Sequence, residues 1–455
     1  MPALSSIDPR DRSILLAVAT SLASKAGTLL LRLISIPLAI RELGLGEFGV
    51  YTAITLIVAM VDTLHVGIGP ALTQRLSKAV TAEDVPKQQS VVATTMMLST
   101  VLTIAVALLL SLVIWQVPMT TLFGAKFAPF AEPMQQACWV ALAIICIHAV
   151  CILVERARDG YMETRISNLW GAGGNFVGAI TLFVGITQFP NLIFLILAVN
   201  GSIALAKLGN ALHFFIRRPF LLHWRRDFDR KLVKPVLLSG GVFTVTYTLS
   251  AVVEHSFLIY LVGHFLTPAT VGTAGIFATL HFSANGLLQM FTTPMWPALI
   301  NARGRGDYEW IRQAGLRLRG MALIFGAGMI LGMAFFGEWL IPIWLGQEPE
   351  ITRYGMIAFG GFFAAHIWRH ANQVLVIGFD QENWVARVIV AESAIVATVI
   401  FFTLSRGSGL GQTYLEIAIA IVAVTGWLLP MRFHRLMTTR DAGAEMLPRE
   451  GDLVP

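Results

Sequence analysis

Gly46-Glu47-Phe48-Gly49-Val50-Tyr51-Thr52-Ala53-Ile54 and Gly272-Thr273-Ala274-Gly275-Ile276-Phe277-Ala278-Thr279-Leu280 stand 226 residues apart, and each enters a long apolar run. At the far ends of those runs, Pro70-Ala71-Leu72 and Pro297-Ala298-Leu299 match at an offset of 227. Two matches at nearly one offset, in corresponding segments, mark an internal duplication. Both runs cross in the same direction, so the repeat is parallel and its axis is expected along the membrane normal, with the substrate path between the halves.

The rest of the chain fits that frame. Of 455 residues, 56% are hydrophobic and only 13% charged, with a mean hydropathy of +0.70. A soluble domain carries about 25% charged residues. Half that charge, with apolar runs of roughly 20 residues recurring throughout, predicts a polytopic all-α membrane protein. Twelve spans are predicted: 13–40, 49–74, 88–115, 132–154, 166–187, 191–216, 235–262, 271–300, 315–336, 353–377, 385–404 and 412–431. They group as a six-helix lobe (1–216), a basic cytoplasmic linker (217–234) and a second six-helix lobe (235–433). A polar tail (434–455) is expected to be cytoplasmic and disordered.

Orientation follows from Lys and Arg. With the N-terminus inside, about 25 of the 33 basic residues fall on the cytoplasmic side, which predicts N-in, C-in topology in a bacterial inner membrane. The densest cluster, Arg217, Arg218, Arg225, Arg226, Arg230, Lys231 and Lys234, lies at the midpoint. The basic balance (pI near 9.4) is therefore topological, and no base-reading module accompanies it, so nucleic acid is not an expected partner. Asp8, Arg10, Asp11 and Arg12 precede an apolar stretch interrupted by Lys25 and Arg32 with no small-residue cleavage site, which reads as a retained span. Cys138, Cys146 and Cys151 all fall in one predicted span and read as small apolar residues, without a disulfide or metal role.

A charge inside a span costs about 2.5–3.5 kcal/mol on insertion scales, so each one asks for a reason. In the first span Ser21, Lys25, Thr28, Arg32 and Ser35 are spaced to share one helix face, a polar stripe suited to a water-filled cavity. The second span carries Asp62 and His65. At about 1.5 Å per residue from the outer end, Asp62 lies about 21 Å deep and Lys25 about 22 Å, which makes them a candidate ion pair. Arg32, about 12 Å deep on the same scale, has no acidic partner at its level and is the candidate to meet an anionic ligand. The second half repeats the theme: Thr244, Tyr247 and Glu254 on span seven, His281, Asn285, Gln289 and Thr292 on span eight, and His366, His370, Arg369 and Gln373 on span ten. Arg369 lies near mid-membrane, and its planar fork suits phosphate. The candidate substrate cavity is therefore Lys25, Arg32, His281, His366, Arg369 and His370, with Asp62 and Glu254 as coupling or ion-pair residues. Lys207 and Glu392 fit a structural or a functional role equally.

Several motifs fail on context. Gly44-Leu45-Gly46-Glu47-Phe48-Gly49 spells G-x-G-x-x-G, but a membrane span precedes it where a dinucleotide site needs a strand, so a tight outer turn is expected. His366 and His370 have zinc-pair spacing without a clear third ligand. No Walker A sequence, nucleophile elbow or convincing carboxylate pair is present. No cofactor, metal or enzymatic chemistry is expected.

The stretch Leu31-Arg32-Leu33-Ile34-Ser35-Ile36-Pro37-Leu38-Ala39-Ile40-Arg41-Glu42-Leu43-Gly44, continuing through Gly46-Glu47-Phe48-Gly49-Val50-Tyr51, resembles the opening of the polysaccharide transporters. These are the Wzx-type flippases of the multidrug/oligosaccharidyl-lipid/polysaccharide superfamily. Pro294-Met295-Trp296-Pro297-Ala298-Leu299, followed by Arg303-Gly304-Arg305-Gly306-Asp307, resembles that family's eighth-span exit and loop. The resemblance implies a MATE-like, V-shaped pair of lobes working by alternating access. It implies a lipid-linked oligosaccharide cargo, usually on undecaprenyl diphosphate, moved to the periplasmic leaflet, with proton or sodium as coupling ion and contact with polysaccharide polymerase machinery. Arg32 lies inside the matched stretch, whereas Arg369 rests on depth and spacing alone. The alternative is a drug/cation antiporter of the same superfamily, which Asp62 and Glu254 keep open. A membrane polymerase or ligase usually carries a large periplasmic loop, and none is found here.

Overall fold

The computed structural model describes residues 27–29, 31–55, 67–292 and 295–444. These are helical almost throughout, with no strand among them. Residues 31–55 form α1, followed by α2 (Ile68–Thr81), α3 (Val85–Gln116), α4 (Ala131–Gly160), α5 (Thr164–Gly185) and α6 (Leu192–Arg217). Then come α7 (Arg230–Ala251), a π-helical turn (Val252–Phe257), α8 (Leu258–Phe265) and α9 (Pro268–Thr292). The chain ends with α10 (Met295–Gly304), α11 (Tyr308–Leu345), α12 (Arg353–Ile377), α13 (Glu382–Ser405) and α14 (Leu410–Ala444).

Local sequence sets the starts of several of these helices. The Asp84 side chain accepts from the Lys87 amide at the head of α3, and Asn191 caps α6 in the same way through the Phe194 amide. Thr352 does so for α12 through Gly355. Gly44 takes φ of 83° within the helical stretch 31–55, at the outer turn the sequence predicts, a conformation that only glycine adopts freely.

Seven helices among the described residues are long and apolar enough to cross a membrane. They include α3, α6, α11 and α13. The chain is an all-α membrane protein. Three other predicted spans are present as helices of full length but are diluted by Gly or polar residues: α5, α9 and α12. The first two, 13–40 and 49–74, lie partly outside the described residues. One expectation is corrected. Residues 434–444 of the tail are helical, because α14 runs on to Ala444. Phe433 and Met437, one helical turn apart, are buried there, and Arg432 donates to Gln381 Oε1 at 2.6 Å.

By internal contacts the chain forms two compact units, residues 1–279 with 342–350, and residues 280–341 with 351–455. The basic segment 217–234 lies within the first. In the first unit α2, α3, α4 and α6 pack around Leu72, Leu76, Val92, Met96 and Phe214. Gly174 and Gly178 of α5 form a small-residue strip against Ser202 and Ala206 of α6, so close that an added Cβ would lie 2.4 Å from Ser202 Oγ. Two charges in these spans are paired: Lys207 Nζ lies 2.7 Å from Glu155 Oε1. Beyond them, Glu163 accepts from Arg158 at 2.8 Å and from Arg218 at 2.6 Å.

The duplicated stretches meet inside this unit. A Cβ on Gly49 would lie 1.8 Å from the Pro268 carbonyl oxygen, and one on Gly272 would lie 3.2 Å from the Gly49 amide nitrogen. A Cβ on Gly275 would lie 2.5 Å from the Thr52 side chain. In the second unit α12 is central: eighteen of its 25 residues are buried, and α14 is its main neighbour, with α13 and α10 also packed on it.

Candidate functional site

In the first unit, the first-span polar stripe is turned toward other helices. Thr28 Oγ1 accepts from Asn175 Nδ2 of α5 at 2.7 Å, and Ser35 is buried. Arg32 lies on the same helix face between them; the residue as a whole is exposed, while protein packed around the guanidinium strips much of its water. Across the outer turn, Tyr51 Oη donates to Asn200 Oδ1 of α6 at 3.1 Å, and its hydroxyl is within electrostatic range of the Arg32 guanidinium. Asn200 sits on a π-helical segment of α6, Leu197–Gly201. The Arg32 guanidinium has no acidic partner within ion-pair distance among the described residues. The result is a cation with the Tyr51 hydroxyl in its electrostatic range and Thr28 one turn before it on the helix. Lys25, Asp62 and His65 lie outside the described residues.

Glu254 belongs to the π-helical turn Val252–Phe257 and is 1% exposed. Such turns widen a helix by one residue and often occur at functional sites. With Asn200, this puts two of the polar residues of the first unit on the two π segments among the described residues.

The second unit holds a different arrangement. Arg369 of α12 is 2% exposed, and both terminal nitrogens of its fork are engaged. Nη1 donates to Glu392 Oε1 of α13 at 2.6 Å, and Nη2 donates to His366 Nδ1 at 2.8 Å. Arginine only donates, so His366 Nδ1 must accept, which places the proton of a neutral ring on Nε2. The second Glu392 oxygen accepts from the Thr425 hydroxyl of α14. His366 stands edge-on to His281 of α9, with ring centroids 4.4 Å apart. His281 stacks on Phe362, and Phe362 stacks in turn on Tyr414. His370 is bonded elsewhere, to Thr292 Oγ1 at 3.0 Å, so the two histidines of α12 are divided between partners. Among the described residues no three His, Cys, Asp or Glu side chains are grouped to hold a metal.

Thus Arg32 and Arg369, equivalent in the sequence reading, differ in surroundings. Arg369 is a paired residue whose charge is met within its own unit. Glu392, which the sequence left undecided, is its partner. The signal was available: α12 and α13 are antiparallel neighbours, and the two residues stand at similar distances from the turn that joins them.

No family model matches the chain, and no curated protein matches it significantly. Solved structures do. One is an inward-facing multidrug resistance MATE family transporter of the MOP superfamily, with a TM-score of 0.75 at 15% identity, covering 93% of this chain and 99% of that one. This chain shares the fold of the MATE transporters. An outward-facing MATE transporter matches with a TM-score of 0.62 at 14% identity, over 93% of this chain and 96% of the other. A MOP-superfamily transporter from Pyrococcus furiosus matches with a TM-score of 0.62 at 14% identity, over 95% and 98%. Its binding pocket is described as having reverse polarity, suggesting a different function for that protein. On the MATE fold observed here, Arg32 and Glu254 of the first unit and the buried Arg369–Glu392 pair of the second are charge features that a transport reading must explain.

Proposed function

We propose that this protein exports a lipid-linked oligosaccharide, flipping it from the cytoplasmic to the periplasmic leaflet of the bacterial inner membrane by alternating access between two six-helix lobes. The observation that carries the reading is Arg32: a guanidinium within a predicted span, without an acidic partner among the described residues, near the Tyr51 hydroxyl and on one helix face with Thr28, whose own partners are Asn200 and Asn175 respectively. A diphosphate headgroup would meet the guanidinium through paired hydrogen bonds. The neighbouring amides and hydroxyls are the groups that recognise sugar hydroxyls. A cationic drug would find the opposite of what it needs there. Arg369, with its fork engaged, acts in this reading through Glu392 by holding the second unit together and not by touching the headgroup. His281, His366 and His370 belong to that assembly.

The antiporter reading is favoured by one feature, the buried Glu254 on its π turn, an acidic side chain within a predicted span. The two readings separate at Arg32. Polymer output per unit of inserted protein is measured for Arg32→Ala, Arg32→Lys and Arg32→Glu in a strain that depends on this gene for export. Loss with Ala, partial rescue with Lys and the deepest loss with Glu are expected. Normal export by all three variants removes the cationic-site mechanism. Drug resistance conferred by the wild type in a sensitive host, with no effect on polymer, selects the antiporter.

A further inference from the structure

A trough of about 850 Å³ runs along the outside of the α5–α6 pair in the first unit. Leu169, Gly173 and Val177 of α5 form one wall, and Leu197 and Leu205 of α6 the other. It follows the small-residue strip, where Gly174 and Gly178 bring the two backbones together and leave little side-chain bulk to fill the surface. At Gly173 the trough is open, since an added Cβ there would meet no atom within 4 Å. The π segment of α6 adds Leu197 and Ala198 to the lining. Phe176, Phe183 and Leu205 beside it are strongly exposed apolar side chains, which suits contact with bilayer chains.

One end of the trough is cationic. Because α5 and α6 are antiparallel neighbours, the start of α5 and the end of α6 lie at the same end. Arg217 lines the trough there, and it is exposed. Arg165 is exposed too and stands one turn before Leu169 and two before Gly173, on the same helix face. Neither has an acidic partner among the described residues. The adjacent Arg218, by contrast, is held by Glu163. Trp170 forms part of the wall, its indole donating to His213 Nδ1 at 3.4 Å while Arg158 approaches the same nitrogen at 3.2 Å. A tryptophan so anchored, with one apolar and one polar edge, is the residue expected at headgroup depth.

We propose that this trough is a specific site for one anionic phospholipid of the bilayer, with an acyl chain lying between α5 and α6 and the phosphate held by Arg165 and Arg217. An apolar channel with Arg217 in its lining and Arg165 one turn beyond, neither with an acidic partner among the described residues, matches a molecule with a long chain and a negative head. A zwitterionic head would bring its own cation to the same place. The site lies on the membrane face of the α5–α6 pair and is independent of the cargo reading.

The test uses the full-length protein, purified in detergent and titrated with phosphatidylglycerol or phosphatidylcholine of identical chains, with bound lipid counted by native mass spectrometry. Phosphatidylglycerol should be retained preferentially. A basic residue near an anionic headgroup is worth about 1 kcal/mol, so Arg217→Ala should weaken retention about fivefold and Arg165→Ala/Arg217→Ala about twenty-five-fold. Arg217→Lys should restore most of the loss. Gly173→Phe, whose Cβ would meet no atom within 4 Å and whose ring would occupy the trough, should abolish retention of either lipid and provides an arm that leaves the arginines untouched. Equal retention of the two lipids by the wild type overturns the headgroup assignment. Wild-type retention by Gly173→Phe overturns the site.

Discussion

Replacing Glu392 with Gln keeps the shape of the side chain and an acceptor for the Thr425 hydroxyl but removes the carboxylate that Arg369 Nη1 meets at 2.6 Å. Arginine cannot shed its proton, so a cation that is 2% exposed loses this counter-charge while staying buried. Breaking a buried pair by removing one partner costs about 3–5 kcal/mol, because the surviving charge stays desolvated. The same reasoning makes the pair itself a weak net stabiliser. Arg369→Met/Glu392→Met, which removes both charges from a largely apolar setting of Phe362, His281 and Tyr414, should therefore be far milder than the sum of the single changes. The assay is unfolding of the purified protein in mixed micelles of rising denaturing-detergent content, followed by circular dichroism, for wild type, both single variants and the double. Polymer export per inserted protein is measured in parallel. A Glu392→Gln variant within about 0.5 kcal/mol of wild type, or strict additivity in the cycle, refutes the pairing argument. If stability is unchanged while export stops, Arg369 is a ligand-binding residue after all, and the sequence-based assignment outlives the geometric one.

Reporter fusions after Gly409 should read periplasmic and those after Arg440 cytoplasmic; a cytoplasmic signal at Gly409 contradicts the twelve-span topology. For Lys25 and Asp62, which lie outside the described residues, each single neutral replacement should reduce stability or transport, and the double should be milder than their sum. Additive losses would dissolve the pair and leave Asp62 as a candidate proton site. Gly49→Ala should destabilise by at least about 1–3 kcal/mol, since its Cβ would lie 1.8 Å from the Pro268 carbonyl oxygen. The control Gly286→Ala, where nothing lies within 4 Å, should be neutral or stabilising; equal effects at the two positions would mean that α1 and α9 do not meet through glycine.

Much of the architecture was legible because the relevant free energies are local. Transfer of a helix into lipid depends on its own side chains, so the helical spans, their lengths and the expectation of an all-α membrane protein follow from hydropathy. Within the two similar stretches, Gly49 and Gly272 lie where the backbones approach closely. The tail was misread because polar composition hid the apolar pair Phe433 and Met437, whose burial extends α14. Helices α5, α9 and α12 fall short of a strict apolar test because glycine and polar residues, placed against other helices, lower their average.

The sequence by itself determined which residues are too polar for lipid, and so named Arg32, Arg369, Glu254 and the histidines as residues that need a reason. Helical spacing could show that Arg32 shares a face with Thr28 and Ser35, and depth counting could set Arg369 near the middle of the bilayer. Neither could say which way a helix is rotated about its own axis relative to its neighbours. That azimuth is chosen by packing over whole helix faces, through contacts such as Gly174 with Ala206 and Gly360 with the Ile330 backbone. Only the tertiary structure therefore decided that Arg369 closes on Glu392 and His366 while Arg32 stays open. Two arginines with the same chemistry and similar sequence settings were separated by what the folded chain brought within about 3 Å of each.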